Sequence, residues 1–88
     1  MTTEETSTSA VPRTLAEAQE AVAAIRPPRR ASLSEWLAHH QRSAALYAEI
    51  AEIDRGHHHE ALFMAEQQRQ RAKEIKTEIS AQQPTGET

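Results

Sequence analysis

Apolar residues recur at helical spacing in three segments of the chain. The first segment lies between Thr14 and Pro27, and its apolar positions form one stripe: Leu15, Ala18, Val22 and Ile25. The sequence from Thr14 to Glu17 is typical of a capping box, in which a hydroxyl and a carboxylate each satisfy a free amide at the helix start. Because the residue before a proline is disfavoured in the α conformation, the pattern predicts a helix over residues 14–26.

The second and third segments are longer and nearly equal in length. A second capping box, Ser32 to Glu35, opens a pattern that runs to Asp54 without a helix breaker. Gly56 then suits the left-handed position that often closes a helix. The third segment has one narrow apolar seam with a single polar member: Ala61, Ala65, Gln68, Ala72, Ile75 and Ile79. These signals predict helices over residues 33–54 and 57–80.

The three segments predict an all-α fold built on an antiparallel hairpin. A connection of two or three residues between helices of matched length makes them run in opposite directions. The apolar arc of the second helix covers more than half of its circumference, which is more than one neighbour can cover. We therefore expect the third helix on one side and the short first helix over the N-terminal half of the other. Residues 1–13 and 81–88 have little to bury, which predicts disordered tails.

Composition and charge argue against several classes of site and partner. The chain contains 16 alanines and no cysteine, which predicts a thin core that leans on a partner and excludes disulfides and thiolate metal sites. The net charge of −3 gives no electrostatic reason to bind phosphate backbones, so nucleic acid is not an expected partner. The chain shows neither a signal-peptide pattern nor an apolar run of about 20 residues, so we expect a cytoplasmic location and no membrane partner.

Five histidines raise the question of a metal site, for which His57, His58 and Glu60 are the candidates. Neighbouring residues of a helix point about 100° apart, so this cluster supplies two ligands at best, whereas zinc needs three or four. His40 lies about 21 Å along its helix from the turn and cannot join them. A helical hairpin also offers no water-shielded pocket. We therefore expect no metal, no cofactor, no small-molecule substrate and no enzymatic activity.

A polar layer is predicted inside the apolar seam of the hairpin. Pairing the two long helices about Gly56 brings together His40, Ser43 and Gln68. Such a layer fixes the register of paired helices at some cost in stability, and this interpretation is favoured over a binding role.

Phe63 is the candidate anchor for a partner. It lies about 200° around the third helix from Ala61 and therefore away from the seam. Aromatic side chains are enriched among the residues that dominate binding at interfaces. We expect Phe63, together with Leu62 and Ile53, to bind a protein partner or a second copy of the chain. The alternative is that Phe63 folds into the core near the turn.

Two resemblances carry structural expectations. The sequence Gly56-His57-His58-His59-Glu60-Ala61-Leu62 resembles the turn and second-helix start of a tetratricopeptide unit, which implies close packing at Ala61. The chain has no 34-residue period, so neither an array of repeats nor its peptide groove is implied. The longer stretch from Trp36 through Tyr47 to Ala61 is similar to small uncharacterised helical proteins of actinobacteria. That resemblance implies the same small helical fold and no particular function.

These observations predict a non-catalytic protein-interaction module, such as a regulatory accessory or adaptor, that acts through a helical surface. The alternative is a nucleic-acid-associated regulator or antitoxin-like protein that uses the loop from Arg26 to Arg30, the one basic cluster of the chain.

Overall fold

The computed structural model describes residues 11–82, which form three α-helices. They are α1 (Leu15–Ala24), α2 (Leu33–Ile53) and α3 (His58–Gln82), with a 3₁₀ turn at Arg55–His57 between α2 and α3. No strand occurs within residues 11–82, so the predicted all-α class is confirmed. The observed helix ends lie within two residues of the predicted ones, and residues 81 and 82 extend α3 instead of belonging to a tail. The remaining parts of the predicted tails, residues 1–10 and 83–88, lie outside the described residues.

Side-chain caps begin α1 and α2. The Ser32 hydroxyl accepts a hydrogen bond from the Glu35 N–H at 3.2 Å, and the Glu35 carboxylate accepts one from the Ser32 N–H at 3.3 Å. This reciprocal capping box satisfies two amides that have no partner within the helix. At α1 the Thr14 hydroxyl accepts from the Glu17 N–H at 3.1 Å, but the Glu17 carboxylate accepts from Arg13, one residue before the predicted donor.

The turn between α2 and α3 differs from the sequence prediction at Gly56. This glycine lies inside the 3₁₀ turn, and its backbone is not in the left-handed region. The turn is held instead by backbone hydrogen bonds, among them the His57 N–H donating to the Asp54 carbonyl at 2.8 Å. The prediction of a left-handed closure at Gly56 is therefore wrong, because a 3₁₀ turn uses right-handed geometry that any L-residue adopts.

The core lies where the three helices meet, and α2 contacts both of its neighbours. Its buried apolar members come from all three helices: Ala18, Val22, Tyr47, Ile50, Ala51, Ala61 and Ala65. Most of them are alanines, which let helix backbones approach closely, while Tyr47 and Ile50 of α2 are the largest. The core is therefore thin, as the composition predicts.

The position of α1 differs from the prediction. The Leu15 N–H at the start of α1 donates to the Asp54 carboxylate at 2.9 Å, so α1 begins beside the C-terminal end of α2, not over its N-terminal half. The connection between the two helices, residues 25–32, contains Pro27 and Pro28. An extended proline-rich segment advances about 3.1 Å per residue. Eight residues can therefore span about 25 Å, which is enough for α1 to pack back along α2.

Candidate functional site

An exposed group of apolar side chains near the α2–α3 turn is the candidate site. We call it the apolar patch: Ile53 is 42% exposed, Leu62 is 39% exposed and Phe63 is 61% exposed. Ile53 is the last residue of α2, and the other two lie in the first turns of α3. Large apolar side chains at this level of exposure remain available to another surface.

Helical geometry explains why Phe63 remains outside. Ala61 and Ala65 are fully buried, so the face of α3 that carries them points toward α2. Phe63 lies about 200° around the helix from Ala61 and therefore points away from that contact. The alternative prediction, that Phe63 folds into the core near the turn, is wrong.

The surface around Phe63 is polar, and its charged residues, Glu66 and Arg71, are each in an exposed ion pair. Phe63 lines a shallow depression of about 390 Å³ in which all the lining residues belong to α3. Gln67 and Gln70 flank the ring with uncharged amides, while Glu66 forms a 3.4 Å ion pair with Arg69. Interface cores are depleted in charged residues and enriched in aromatic ones. The aromatic ring and its neighbouring glutamines match that composition, whereas Glu66 and Arg71 are charged residues of the kind found at the rim of an interface.

The predicted polar layer is brought together only in part. His40 Nδ1 donates to Gln68 Oε1 at 2.6 Å, which joins α2 to α3 through their side chains. Ser43 is fully buried, yet its hydroxyl has no hydrogen-bond partner among the described residues. His40 and Gln68 therefore satisfy each other, and Ser43 is a separate, unpaired polar group in the core.

His39 is a buried polar residue that the sequence analysis missed. Only 6% of it is exposed, and its Nδ1 has no hydrogen-bond partner within residues 11–82. Burial, followed by the nearby charges of His40, Arg26 and Arg42, lowers the pKa of its imidazole below the ordinary value. His39 is therefore neutral at pH 7. A helical wheel centred on the α3 contact could not reveal this burial, because His39 lies on the other edge of the apolar arc of α2.

The histidines at the turn form hydrogen bonds within the chain. His57 Nδ1 donates to the Asp54 carboxylate at 2.9 Å, and His58 Nδ1 donates to the Ala51 carbonyl at 2.8 Å. No group of three or more metal-capable side chains occurs within the described residues. Glu60, the third metal candidate, is exposed on the first turn of α3.

Asp54 joins three elements, and the sequence analysis assigned it no role. Its carboxylate accepts from the Leu15 N–H and from His57 Nδ1, both at 2.9 Å. The Leu15 hydrogen bond first, and then His57, hold the pKa of the Asp54 carboxyl below its ordinary value. Asp54 thereby ties the start of α1 to the α2–α3 turn across 39 residues of sequence.

Comparisons with known proteins found no relative of this chain. No protein-family model, no curated protein and no solved structure matches this chain. Among the helices of residues 11–82, none is long and apolar enough to cross a membrane.

Proposed function

We propose that this chain is a non-catalytic protein-interaction module, a regulatory accessory or adaptor of the cytoplasm, that binds its partner through the apolar patch. The observation that carries the proposal is the exposure of Phe63, which is 61% accessible, together with the partial exposure of its sequence neighbour Leu62 and of Ile53 at the end of α2. A thin core with a large aromatic ring left outside is typical of a protein that buries further surface on binding.

The exposed area of the Phe63 side chain sets the size of its expected contribution to the binding free energy. A phenylalanine side chain buries about 200 Å² when it is fully covered, so its exposed part can lose about 120 Å² to a partner. At about 25 cal/mol per Å² this contributes about 3 kcal/mol to binding before the costs of association. Truncation to alanine keeps the Cβ contact and removes about 2 kcal/mol, which weakens binding about 30-fold.

The proposal includes an antiparallel α2–α3 hairpin as a rigid support for the patch. His40 of α2 forms a hydrogen bond with Gln68 of α3. Nearer the turn on both helices, the Ala51 carbonyl of α2 accepts a hydrogen bond from His58 of α3. Contacts that converge on the turn from both helices are those of an antiparallel pair. A rigid support lowers the entropy that is lost on binding.

Sedimentation velocity over a range of protein concentrations tests the proposal, with wild type, Phe63→Ala and Ile25→Ala compared. Ile25 is the control because it is another exposed large apolar residue, 42% exposed against 61% for Phe63, and it caps the end of α1 outside the apolar patch. We expect Phe63→Ala to weaken self-association about 30-fold and Ile25→Ala to leave it unchanged. Circular dichroism should show equal helicity for all three proteins, because Phe63 contributes little to the core.

A wild-type protein that stays monomeric would direct the test to a heterologous partner. The three proteins would then be used as baits in extracts of the native host, with the bound proteins identified by mass spectrometry. A partner retained by wild type and Ile25→Ala but lost by Phe63→Ala supports the patch. Equal retention by all three baits, without self-association, refutes the proposal.

A further inference from the structure

A second surface feature is a cleft formed by the α1–α2 connection, α2 and the C-terminal half of α3. Its volume is about 520 Å³. We call it the arginine cleft, after its three basic residues: Arg26 and Arg29 of the connection and Arg71 of α3. Trp36 and His39 of α2 also line it. None of these residues belongs to the apolar patch.

The arginine cleft has an excess of positive charge in a chain that is negative overall. Within residues 11–82, the side chains of Arg26 and Arg29 form no ion pair, and Arg71 is paired with Glu74 at 3.3 Å in an exposed bridge. Glu78 is the one acidic residue of the lining. Three guanidinium groups against the Glu78 carboxylate give the lining a charge of about +2, or +1 when Glu74, the partner of Arg71, is counted, whereas the whole chain has a net charge of −3. Guanidinium groups are the usual means of holding an oxyanion, and two of the three in this cleft, Arg26 and Arg29, have no carboxylate partner within residues 11–82.

The wall of the arginine cleft on the α2 side is aromatic. The Trp36 ring stacks on His40 with a centroid distance of 5.8 Å and meets the His39 ring edge-on at 5.6 Å. His39 is nine-tenths buried and has an unpartnered ring nitrogen.

Apolar side chains from all three helices also line the cleft: Val22 of α1, Leu33 of α2 and Ile75 of α3. Small-molecule sites combine such aromatic and apolar walls with a few converging polar groups, in volumes of about 300–1,000 Å³. The arginine cleft has both the size and the mixed lining of such a site.

We propose that the arginine cleft binds a small phosphate monoester whose apolar or aromatic body lies against Trp36. Arg26, Arg29 and Arg71 hold the phosphate oxygens through charge-assisted hydrogen bonds. A phosphate monoester offers three acceptor oxygens to the three arginines and carries between about 1.5 and 2 negative charges at pH 7, whereas a carboxylate offers two oxygens and one charge. The cleft shares Gln68 and Arg71 with the depression beside Phe63, but it contains none of the three residues of the apolar patch, and Arg29 and Trp36 line the cleft alone.

Trp36 makes the test direct, because it is the only tryptophan of the chain and it lines the cleft. Intrinsic fluorescence is followed while the full chain is titrated with phenyl phosphate, inorganic phosphate, benzoate or benzyl alcohol. We expect a saturable change with phenyl phosphate. Inorganic phosphate and benzoate should bind about tenfold more weakly, the first for lack of an apolar body and the second for lack of charge. Benzyl alcohol, which has no charge, should give no saturable change.

Two arginine variants locate the site. Arg29→Gln should weaken phenyl phosphate binding about tenfold, because it removes one charge-assisted contact to the phosphate. Arg69→Gln is the matched control, since Arg69 is an exposed arginine of α3 that is paired with Glu66 and does not line the cleft. This control should bind like wild type, and both variants should keep the wild-type circular dichroism spectrum.

Several results would overturn the inference. One is no saturable fluorescence change with phenyl phosphate, and another is binding by Arg29→Gln that equals binding by wild type. Benzoate binding as tight as that of phenyl phosphate would assign a carboxylate site instead. Displacement of phenyl phosphate by micromolar duplex DNA, with a steep dependence on salt, would assign the arginines to a nucleic acid surface.

Discussion

Replacing Ser43 with alanine should make this protein more stable, which is the direction expected for a polar layer that fixes register at some cost in stability. Ser43 is fully buried in α2, and its hydroxyl has no hydrogen-bond partner among the described residues. The side chain therefore lost its hydrogen bonds to water on folding without replacing them. Alanine retains the Cβ contact and removes only the unpaired oxygen.

The expected gain is the sum of three contributions to the free energy of unfolding. Leaving a buried hydroxyl unpaired costs about 1–3 kcal/mol. Alanine favours the helix over serine by about 0.5 kcal/mol. The cavity left by one oxygen, about 10 Å³, offsets about 0.2 kcal/mol of this. Ser43→Ala should therefore raise the free energy of unfolding by about 1–3 kcal/mol, which corresponds to several degrees in the melting temperature.

Urea unfolding followed by circular dichroism measures this change, provided that the denaturant slope is the same in both proteins. The exposed Ala45 lies in the same helix, and Ala45→Ser isolates the difference in helix propensity, with an expected loss of about 0.5 kcal/mol. The two changes in the free energy of unfolding are then compared. If Ser43→Ala gains only about as much as Ala45→Ser loses, helix propensity explains the whole effect and the buried hydroxyl has no cost. A variant less stable than wild type would mean that the hydroxyl has a hydrogen-bond partner in solution, and the argument would fail.

Two further predictions concern the turn and its link to α1. Asp54→Ala should speed hydrogen exchange of the Leu15 amide and lower stability at pH 7. Because the pKa of the folded-state carboxyl is lowered, the stability difference from wild type should be complete above about pH 4 and disappear as the pH falls through the folded-state pKa; unchanged Leu15 exchange would argue against the link. Gly56→Ala should raise the free energy of unfolding by about 0.4–1 kcal/mol in urea unfolding, because the added Cβ meets no atom within 4 Å and the backbone is not left-handed. A loss of stability in Gly56→Ala would show that the turn does require glycine.

Local signals in the sequence determine the three helices and much of the candidate site. The Ser32–Glu35 capping box and the apolar stripes act over four residues or fewer, so they can be recognised without tertiary information. The exposure of Phe63 follows from its angle to Ala61 on the same helix. The polar layer is predicted from the tight turn, but equal distances from Gly56 place Ser43, not His40, opposite Gln68, so the observed His40–Gln68 pair was decided by the tertiary structure.

The position of α1 depended on the tertiary structure, and with it the environments of Ser43, His39 and Asp54. The stripe of Leu15, Ala18, Val22 and Ile25 identifies the face that α1 buries, but one short amphipathic helix fits several places along the wide apolar arc of α2. Its position is selected by the reach of the connection and by one hydrogen bond between Leu15 and Asp54, groups separated by 39 residues. The arginine cleft exists only because that connection returns along α2. Contacts between residues so distant in the chain leave no periodic pattern in the sequence, because each contact depends on how all three helices pack together.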